Sequence, residues 1–497
     1  MTTTAPSLTH SPARPDRQLL MDRSVPGRRG VRMPDLDTPP QPLPDASLLR
    51  DDLPLPELSQ PEVVRYFTRL SQLNYSIDTQ FYPLGSCTMK YNPKINDQAA
   101  MLPGMAGLHP LAPAEAAQGA LKLMYRLQSY LCEVAGMSAA SLAPMAGAQG
   151  ELSGVLMVRA YHQARGDARR KVMLIPDSAH GTNPASAAMG GFTVTAIPSD
   201  SRGNMDLAAL RKAAGPDLAG LMITLPSTLG LFDGGILEIC DIVHRAGGLV
   251  YGDGANMNAL LGQAKLGRLG FDVIHSNLHK TFSTPHGGGG PGAGPVIAGQ
   301  TLTPYLPAPV VERQTAHGKE TYRLATPPQS IGKVGAFHGN FGVLVRAYAY
   351  IRALGGEGLR QASQDAVLNA NYLQARLRDA YDLAYDRLCM HEVVLSAERQ
   401  KKQGVKGLDV AKRLLDYGYH APTMYFPLIV DEALMIEPTE SESKETLDAF
   451  AEAMLAIAGE AQETPELVRG APHTTAVSRL DEARAARQPD LRWKAKA

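Results

Sequence analysis

Cysteine, net charge and long apolar runs are all scarce in this sequence, and each scarcity excludes a class of protein. Its 497 residues include four cysteines, which lie far apart and form no CxxC pair. A disulfide framework or a structural zinc site is therefore not expected, and a reducing cytoplasm fits better. Basic and acidic residues number 49 each, which gives no electrostatic basis for binding nucleic acid or an anionic membrane. No apolar run approaches the roughly 20 residues that a membrane-spanning helix needs.

A targeting segment is not expected at the N-terminus either. The first thirty residues have no apolar core of the kind that a secretory signal peptide contains, and they include Asp16 and Asp22. Several arginines in this stretch leave an organellar presequence open, but the early acidic residues argue against one. We therefore expect a cytoplasmic protein.

The periodicity of the chain divides it into four parts. Residues 1–100 begin proline-rich and without sustained periodicity, which predicts an N-terminal arm and an extended segment. From 101 to 355, helical segments alternate with short apolar strands, and this alternation predicts βαβ units in a mostly parallel sheet. Residues 356–470 indicate a small C-terminal α+β domain, and residues 471–497 a surface tail.

Four short apolar segments are the clearest predicted strands of the large domain. They are Lys171–Ile175, Phe192–Ala196, Leu221–Thr224 and Leu249–Tyr251. Polar segments begin at the carboxyl ends of three of them, at Asp177, Pro226 and Asp253. Because the carboxyl ends of parallel strands meet at the crevice where ligands bind, we expect these polar segments to converge on one site.

Lys280 and Asp253 indicate a chemistry most directly. Asp253 ends one apolar strand, and Lys280 follows a second apolar strand and precedes a run of glycines. A lysine amine forms a Schiff base with pyridoxal 5'-phosphate (PLP), and a carboxylate keeps the pyridine nitrogen of this cofactor protonated. A solvated lysine and an ordinary turn aspartate are the plain alternatives. The strand context of both residues favours a PLP site.

Two further segments offer groups to such a cofactor. Gly147, Ala148 and Gln149 lie at the predicted start of a helix, where free backbone N–H groups bind phosphate. Many glycine turns cap helices without a ligand, and the P-loop pattern is not matched here. Ser227 and Thr228 offer hydroxyl groups to the cofactor or the substrate, or else form a simple turn.

Histidines are also expected near the cofactor. His180 either stacks on the pyridine ring and takes part in acid–base chemistry, or is a loop histidine bonded to the backbone. His279 is expected to pack beside the cofactor. The spacing of His275, His279 and His286 invites comparison with a metal site, but these residues straddle a strand-to-loop junction and no nearby carboxylate completes a ligand set. No metal is therefore expected.

The loop Tyr82–Lys90 is rich in small polar groups and ends in a cation. Ser86, Cys87, Thr88 and Lys90 are its candidates for binding a substrate carboxylate. Composition alone favours an ordinary surface loop, so both interpretations stay open at this point.

Seven segments together carry a family resemblance. They are Leu84–Lys90, Ala146–Glu151, Ser178–Ser186, Pro226–Thr228, Asp253–Asn258, Asn277–Phe282 and Thr439–Ser443. Each is modest alone, but the joint match is highly specific and spans roughly residues 20 to 460. It resembles the P-proteins of the glycine cleavage system, glycine dehydrogenase (decarboxylating), in their subunit 2 form.

The resemblance implies a fold-type-I PLP enzyme in which Lys280 is the Schiff-base lysine and Asp253 and His180 are further catalytic residues. Ala255 and Asn256 complete the cofactor contacts that the segments above begin. The implied reaction removes CO2 from glycine and passes the aminomethyl group to a lipoyl disulfide. The glycine run 287–290 is then either a mobile loop that opens for the lipoyl arm or a close backbone approach to phosphate.

The same resemblance implies partners and a setting. A chain of this kind is expected to join subunit 1 in a heterotetramer with two copies of each subunit. The lipoylated H-protein is the expected second substrate, and the cytoplasm of a bacterium or archaeon is the expected compartment.

Two alternatives remain beside this hypothesis. Another fold-type-I activity, such as that of an aldolase, an aminotransferase or a hydroxymethyltransferase, is not separated by the tripeptide His279–Thr281 alone. A catalytically silent half that only completes a complex is the other alternative. The presence of both Lys280 and Asp253 argues against it.

Overall fold

The computed structural model describes residues 18–50, 53, 55–286 and 292–492. The parts of the predictions that concern residues 1–17, 287–290 and 493–497 lie outside the described residues. Within the described ranges, no helix is both long enough and apolar enough to cross a membrane. The chain forms two compact units, one of residues up to Thr79 together with those from Ala471 onward, and one of Gln80–Gly470.

The α-helices of the described residues are, in chain order, α1 (Gln60–Ser71), α2 (Lys94–Ala100), α3 (Pro103–Ala106), α4 (Gln118–Ala135), α5 (Gly147–Ala164), α6 (Thr182–Met189), α7 (Leu207–Ala213), α8 (Ile236–Arg245), α9 (Phe341–Leu377), α10 (Glu398–Lys401), α11 (Gly407–Asp416), α12 (Lys444–Glu463), α13 (Pro465–Arg469) and α14 (Glu482–Arg487). The strands are β1 (Ala139–Ser141), β2 (Val172–Pro176), β3 (Thr193–Ile197), β4 (Leu218–Thr224), β5 (Leu249–Gly254), β6 (Val273–Ser276), β7 (Val296–Ala298), β8 (Val310–Ala316), β9 (Lys319–Ala325), β10 (Asp382–Leu383), β11 (Val393–Ser396), β12 (Thr423–Met424) and β13 (Ala433–Ile436). Short 3-10 helices cover Met21–Arg23, Ala46–Leu48, Leu266–Leu269 and Thr303–Tyr305.

The first unit consists mainly of extended chain. Residues 18–50 contain no buried side chain, and Leu36 is 79% exposed. The first α-helix is α1, where the backbone N–H of Ser59 donates to the side chain of Glu62 at 2.9 Å, as a capping box requires. The arm that the sequence predicts over residues 1–100 stays a prediction.

A seven-stranded sheet forms the centre of Gln80–Gly470. Its order is β1-β7-β6-β5-β4-β2-β3, in which β6, β5, β4, β2 and β3 are mutually parallel and β7 and β1 are antiparallel to their neighbours. Every residue of β5 is buried, as expected for a parallel strand covered on both faces. The predicted mostly parallel sheet is confirmed, and each of its four predicted strands overlaps β2, β3, β4 or β5.

A smaller four-stranded antiparallel sheet follows in the chain, with the order β10-β11-β13-β12. The helix α12 supplies Phe450 and Met454 to the core around this sheet, and both side chains are fully buried. The long helix α9 precedes the sheet and is interrupted at Gly355, where φ is 64°. Residue 355 is also where the sequence places a domain boundary, and that boundary stays a prediction.

Candidate active site

Polar side chains from adjacent strand ends surround a cavity of about 130 Å³. Thr224 of β4 pairs with Asp253 of β5, which in turn pairs with His275 of β6. The carboxyl ends of these parallel strands therefore open on the same edge of the sheet, where α/β folds bind their ligands. A larger cavity of about 770 Å³ between α4 and the β8–β9 hairpin contains none of the residues singled out in the sequence.

Most of the predicted site residues come together around the smaller cavity. Those that line it are Lys280, His180, Asp253, Gly147, Ala148, Ser227, Thr228, Ala255, Asn256 and Ser86. Those that do not line it are Gln149, His279, Cys87, Thr88 and Lys90.

Lys280 lies in the turn that follows β6, four residues after the strand ends. Its side chain is half-buried, and its Nζ donates a hydrogen bond to the carbonyl oxygen of Ser86 at 2.5 Å. Ser86 belongs to the polar loop that the sequence identified as a possible substrate-binding segment. The loop and the strand end thus meet at the lysine amine.

Asp253 is the penultimate residue of β5 and is 4% exposed. Its Oδ2 accepts a hydrogen bond from Asn183 Nδ2 at 3.1 Å, and its Oδ1 accepts one from the Ala255 backbone N–H at 3.0 Å. The Nε2 atom of His275 lies 3.6 Å from the same Oδ1. These contacts fix a buried carboxylate in the cavity that Lys280 also lines.

Two buried residues behind Asp253, Tyr251 and His275, were not among the predicted site residues. The hydroxyl of Tyr251 and Nδ1 of His275 are hydrogen-bonded at 2.5 Å. Burial raises the pKa of Tyr251, so its hydroxyl keeps its proton beside the imidazole. The signal was present in the sequence, because Tyr251 and Asp253 are two residues apart on one strand and so face the same side.

Glu151 is a third missed residue and lies on α5, where it is 2% exposed. Its carboxylate accepts from the Thr182 hydroxyl at 2.9 Å and from Asn183 Nδ2 at 3.4 Å. Burial, followed by repulsion from Asp253, raises the pKa of Glu151 to about 7. The cavity therefore holds two neighbouring carboxyl groups, of which one is partly protonated at neutral pH.

The N-terminus of α5 forms one wall of the cavity. The first backbone N–H of this helix to bond within the turn is that of Gly150, which donates to Ala146 O at 2.9 Å. The preceding N–H groups of Gly147, Ala148 and Gln149 have no intrahelical acceptor, as at any helix start. A Cβ atom at residue 147 would lie 2.4 Å from the Asn277 side-chain oxygen, so any larger residue here would have to displace the Asn277 amide.

The Gln149 side chain turns away from the cavity. Its Oε1 accepts from the backbone N–H of Met145 at 2.7 Å, and its Nε2 donates to Val334 O at 2.5 Å. The Gln149 amide therefore ties the loop before α5 to residue 334 and lies outside the cavity lining. Its predicted contact with the cofactor stays a prediction.

Several buried polar atoms around the cavity lack a partner among the described residues. Thr224 Oγ1, Ser227 Oγ and Asn277 Oδ1 are in this position, and all three residues line the cavity. The Thr228 hydroxyl, in contrast, donates to the carbonyl of Ser178. Because native structures rarely leave buried polar atoms unpaired, the unpaired set indicates a polar ligand.

The two predicted histidines occupy different places. His180 lies at the cavity rim, and its Nδ1 accepts from the Thr182 backbone N–H at 3.2 Å. Burial lowers its pKa. His279 lies behind the wall, where Ala293 N–H donates to its Nδ1 at 3.3 Å and its ring is 5.2 Å from that of His286. Burial lowers the pKa of His279 to about 3.

The loop that ends at Lys90 is divided between the cavity and the protein interior. Lys90 is 3% exposed, and its Nζ donates to Glu440 Oε1 at 2.7 Å, Asn258 Oδ1 at 2.9 Å and Tyr350 OH at 3.2 Å. These three bonds use all the donors of an ammonium group. Its predicted contact with a substrate carboxylate stays a prediction.

Thr88 and Cys87 also lie away from the cavity wall. The Thr88 hydroxyl donates to Glu437 Oε1 at 2.7 Å, and Cys87 is half-buried with a free thiol. Glu437, Glu392 and His391 are further buried residues that the sequence analysis did not single out. They lie next to β11 and β13, where no motif distinguishes them from ordinary strand-end residues.

Comparisons with known proteins agree with this geometry. Residues 362–475 match the family described as glycine dehydrogenase, C-terminal domain. The chain is 55% identical over 481 residues to a probable glycine dehydrogenase (decarboxylating) subunit 2 of Desulforamulus reducens, covering 96% of this chain and 99% of that relative. It is 57% identical over 476 residues to a protein of the same description from Chlorobium chlorochromatii, covering 95% and 98%.

Solved structures share the fold at low sequence identity. A glycine decarboxylase (P-protein) of the glycine cleavage system, in inhibitor-bound form, superposes with a TM-score of 0.70 at 21% identity, covering 84% of this chain and 93% of that one. A glutamate decarboxylase of Lactobacillus brevis gives a TM-score of 0.62 at 15% identity, covering 85% and 96%. The predicted fold, that of fold-type-I PLP-dependent enzymes, is thereby confirmed. By its near-complete match to the relatives above, the chain belongs to the family of glycine dehydrogenase (decarboxylating) subunit 2 proteins.

Proposed function

We propose that this chain is the PLP-bearing subunit of a glycine dehydrogenase (decarboxylating). In this reaction glycine loses CO2, and its aminomethyl group passes to the lipoyl arm of an H-protein. The observation that carries the proposal is the cavity that Lys280 and Asp253 both line, next to the N-terminus of α5. We infer that glycine is the substrate from the family to which the chain belongs.

The residues around the cavity fit PLP. The amine of Lys280 is available to hold the cofactor's carbonyl carbon, and the buried carboxylate of Asp253 suits a protonated pyridine nitrogen. The free N–H groups at the start of α5 suit a phosphate, and the unpaired hydroxyl of Ser227 adds a donor. His180 at the rim is the candidate to cover one face of the ring. When bound, PLP supplies an electron sink for the carbanion that loss of CO2 leaves behind.

Asp253 is prepared for this role by its surroundings. Asn183 and the Ala255 N–H each donate to one of its oxygens, so both carboxylate oxygens are fixed in position. His275 lies behind it, held by Tyr251. These contacts orient the carboxylate before any ligand arrives, so no reorganisation is needed at the moment of reaction.

The charge of the cavity wall suits the removal of a carboxylate. Among the described residues that line the cavity, Lys280 is the one cationic side chain, and no arginine is present. A glycine carboxylate therefore meets no guanidinium contributed by these residues. Weak stabilisation of the carboxylate in the ground state favours its loss as neutral CO2.

The partners follow from the same assignment. The relatives are described as subunit 2, which supports a complex with a subunit 1, and we propose two copies of each subunit. The lipoylated H-protein is the proposed acceptor of the aminomethyl group. We propose the cytoplasm as the compartment, on the basis of the free and widely spaced cysteines.

The release of labelled CO2 from carboxyl-labelled glycine tests this function. The chain, PLP, subunit 1 of the same organism and lipoylated H-protein should together release CO2, and Lys280→Ala should abolish the release. Cofactor absorption without CO2 release would favour another fold-type-I activity. No cofactor absorption by the wild-type chain, even with subunit 1, would favour a catalytically silent half.

A further inference from the structure

His391, Glu392 and Glu437 form a buried cluster that the proposed function leaves unexplained. One nitrogen or oxygen atom of each lies within 4.8 Å of those of the other two, and the residues are 2%, 3% and 0% exposed. The small sheet causes this proximity. Val393 of β11 pairs with Ile436 of β13 in antiparallel register, so the next residues, Glu392 and Glu437, face each other. We call these three residues the carboxyl cluster.

Ser86 connects the carboxyl cluster to the reactive lysine. The backbone N–H of Ser86 donates to Glu392 Oε2 at 2.8 Å, while its carbonyl oxygen accepts from Lys280 Nζ at 2.5 Å. Ser86 adopts φ of 64°, a left-handed conformation that costs a non-glycine residue energy and is found mostly at functional sites. One residue thus holds Glu392 and the lysine amine in a fixed relation.

Of the acidic residues that line the cavity, Glu392 is the one tied to the lysine end. Glu151 and Asp253 are held together by Asn183, on the side assigned to the pyridine nitrogen. Glu392 and His391 line the same cavity from the small sheet. An amine that approaches Lys280 therefore meets the carboxyl cluster.

His391 provides independent evidence for a ligand at the cluster. Neither of its ring nitrogens has a hydrogen-bond partner among the described residues, although the side chain is fully buried. Its Nε2 lies 3.9 Å from Glu392 Oε1, too far for a direct bond. A buried imidazole without any partner is costly, and a small polar ligand beside Glu392 would relieve this cost.

We propose that Glu392 binds the ammonium group of incoming glycine and removes a proton from it. This inference rests on the proposed function. In the step, an N–H bond of the ammonium group breaks, an O–H bond forms on the Glu392 carboxylate, and the electron pair of the broken bond stays on nitrogen. The product is a neutral amine, the nucleophilic form, next to the position of the Lys280 amine. His391 and Glu437 act as positioning residues.

The charges around Glu392 are consistent with a base that works near neutral pH. Burial, followed by repulsion from Glu437, raises the pKa of Glu392 above its ordinary value. A base whose pKa lies near the working pH transfers protons most effectively. The titratable or charged groups that lie near Glu392 and Glu437 are His391, Lys280, Cys389 and Lys90.

The hydrogen bonds of the carboxyl cluster favour this role over metal binding. Ser86 N–H donates to Glu392 Oε2, Thr88 Oγ1 donates to Glu437 Oε1, and Asn256 Nδ2 donates to both Glu437 oxygens. Three of the four carboxylate oxygens thus already accept N–H or O–H donors, which compete with coordination of a cation.

The test is the rate of the cofactor absorbance change after mixing with glycine, measured from pH 6 to 9 for the complex with subunit 1. In wild type, we expect the rate to become independent of pH once the pH exceeds the raised pKa of Glu392, because Glu392 then supplies the base. In Glu392→Gln, the free amine is the sole reactant, and its fraction rises about tenfold per pH unit below the amine pKa. Methylamine has the ammonium group but no carboxylate, and with it wild type and Glu392→Gln should differ in pH dependence in the same way.

Glu442→Gln is the matched control. Burial raises the pKa of Glu442 to about 7, but this residue does not line the cavity, so its variant should follow wild type at every pH. A Glu392→Gln profile that coincides with that of Glu442→Gln would overturn the proposal. If wild type itself shows no absorbance change at any pH, the proposed function fails instead, and the two failures are thus distinguishable.

Glu437→Gln keeps the inference testable if Glu392→Gln does not bind the cofactor. Removing the neighbouring charge should lower the pKa of Glu392 and shift the pH midpoint of the rate downward by at least about half a unit. An unchanged midpoint would contradict the role of Glu392. Urea unfolding of the cofactor-free chain gives a further readout, since the wild type should lose more stability above pH 4.5 than Glu392→Gln does.

Discussion

Two buried groups of charged side chains in Gln80–Gly470 contrast in how their charges are matched. Lys90 and Glu440 form an ion pair at 2.7 Å with side chains 2% and 12% exposed, and hydrogen bonds from their neighbours complete it. Lys280 instead bonds to a backbone carbonyl, and the Glu151 carboxyl group is repelled by that of Asp253. Charged side chains that are paired stabilise the fold, whereas buried charged side chains without an ionic partner are typical of functional sites.

The electrostatics of the two groups express the same difference. Lys90 holds the pKa of Glu440 below its ordinary value although burial opposes this. Around the cavity, the effect of burial exceeds that of the hydrogen bonds to the carboxylate, and the pKa of Glu151 rises to about 7. A substitution should therefore change stability in the first group and ligand chemistry in the second.

The largest expected effect comes from Lys280→Ala. Removal of the amine that holds the cofactor should lower the rate of glycine decarboxylation by at least about a thousandfold. The visible absorption of bound cofactor should change at the same time. Urea unfolding of the cofactor-free variant should stay close to that of wild type, because Lys280 makes no ion pair among the described residues. A variant that keeps wild-type activity would remove Lys280 from the site.

Lys90→Met should have the largest effect on stability. It leaves Glu440 buried without its partner, and breaking such a pair costs about 3–5 kcal/mol in the free energy of unfolding. Urea unfolding of the cofactor-free chain measures this loss. The double variant Lys90→Met/Glu440→Met should recover most of it, because neither charge is then left alone.

A matched control for Lys90→Met exists on the surface. Lys401 is 45% exposed and pairs with Glu398 at 2.8 Å and with Glu432 at 3.3 Å, and pairs made by an exposed lysine add little. Lys401→Met should therefore leave the unfolding midpoint almost unchanged. Equal losses of unfolding free energy in Lys90→Met and Lys401→Met would show that burial does not increase the contribution of the Lys90 pair to stability.

Glu151→Gln should change the pH dependence of stability. The folded-state pKa of about 7 lies above the ordinary value of 4.5. The contribution of protonated Glu151 to the free energy of unfolding is therefore fully present below pH 4.5 and is lost as the pH rises to 7. Relative to Glu151→Gln, the cofactor-free wild type should lose up to about 3 kcal/mol over this window. Urea unfolding at several pH values measures it.

Glu357→Gln is the control for the pH experiment. The Glu357 side chain is 90% exposed, so this variant should follow the wild-type pH profile. If Glu151→Gln follows it too, Glu151 ionises normally in the folded chain and the contrast between the two groups of charges weakens.

The sequence predicts the reactive pair and its frame better than it predicts the surroundings. Asp253 ends a short apolar strand and Lys280 follows another, and the parallel register brings both to one cavity. Periodicity carries such information because strand ends of a parallel sheet converge. The division of the Ser86–Lys90 loop between cavity and interior was not predictable, since it depends on Glu440, about 350 residues away in the chain.

The missed residues have the same explanation. Glu392 and Glu437 approach each other through the pairing of β11 with β13, and neither has a local motif. Tyr251 and His275 carried a readable signal, since alternation on β5 and pairing with β6 place them beside Asp253. Long-range pairing of strands, rather than local propensity, decides which buried acids meet the cavity.

The smallest expected effect separates affinity from stability within the cavity itself. Gly147→Ala adds a methyl group 2.4 Å from the Asn277 amide oxygen, next to the N–H groups proposed to bind the cofactor phosphate. Alanine favours the helix by about 1 kcal/mol over glycine, which offsets part of the cost of moving the amide. We therefore expect PLP affinity to fall by about tenfold while the unfolding midpoint hardly moves.

Titration of PLP by absorbance and urea unfolding of the cofactor-free chain measure the two quantities separately. Gly459→Ala, in the middle of α12 with open space around its Cα, is the control for helix propensity and should raise stability without changing PLP affinity. If Gly147→Ala lowers stability as strongly as Lys90→Met, the start of α5 serves the stability of the fold, as the Lys90–Glu440 ion pair does. In that case the glycine is needed for packing, and its place in the cavity wall is incidental.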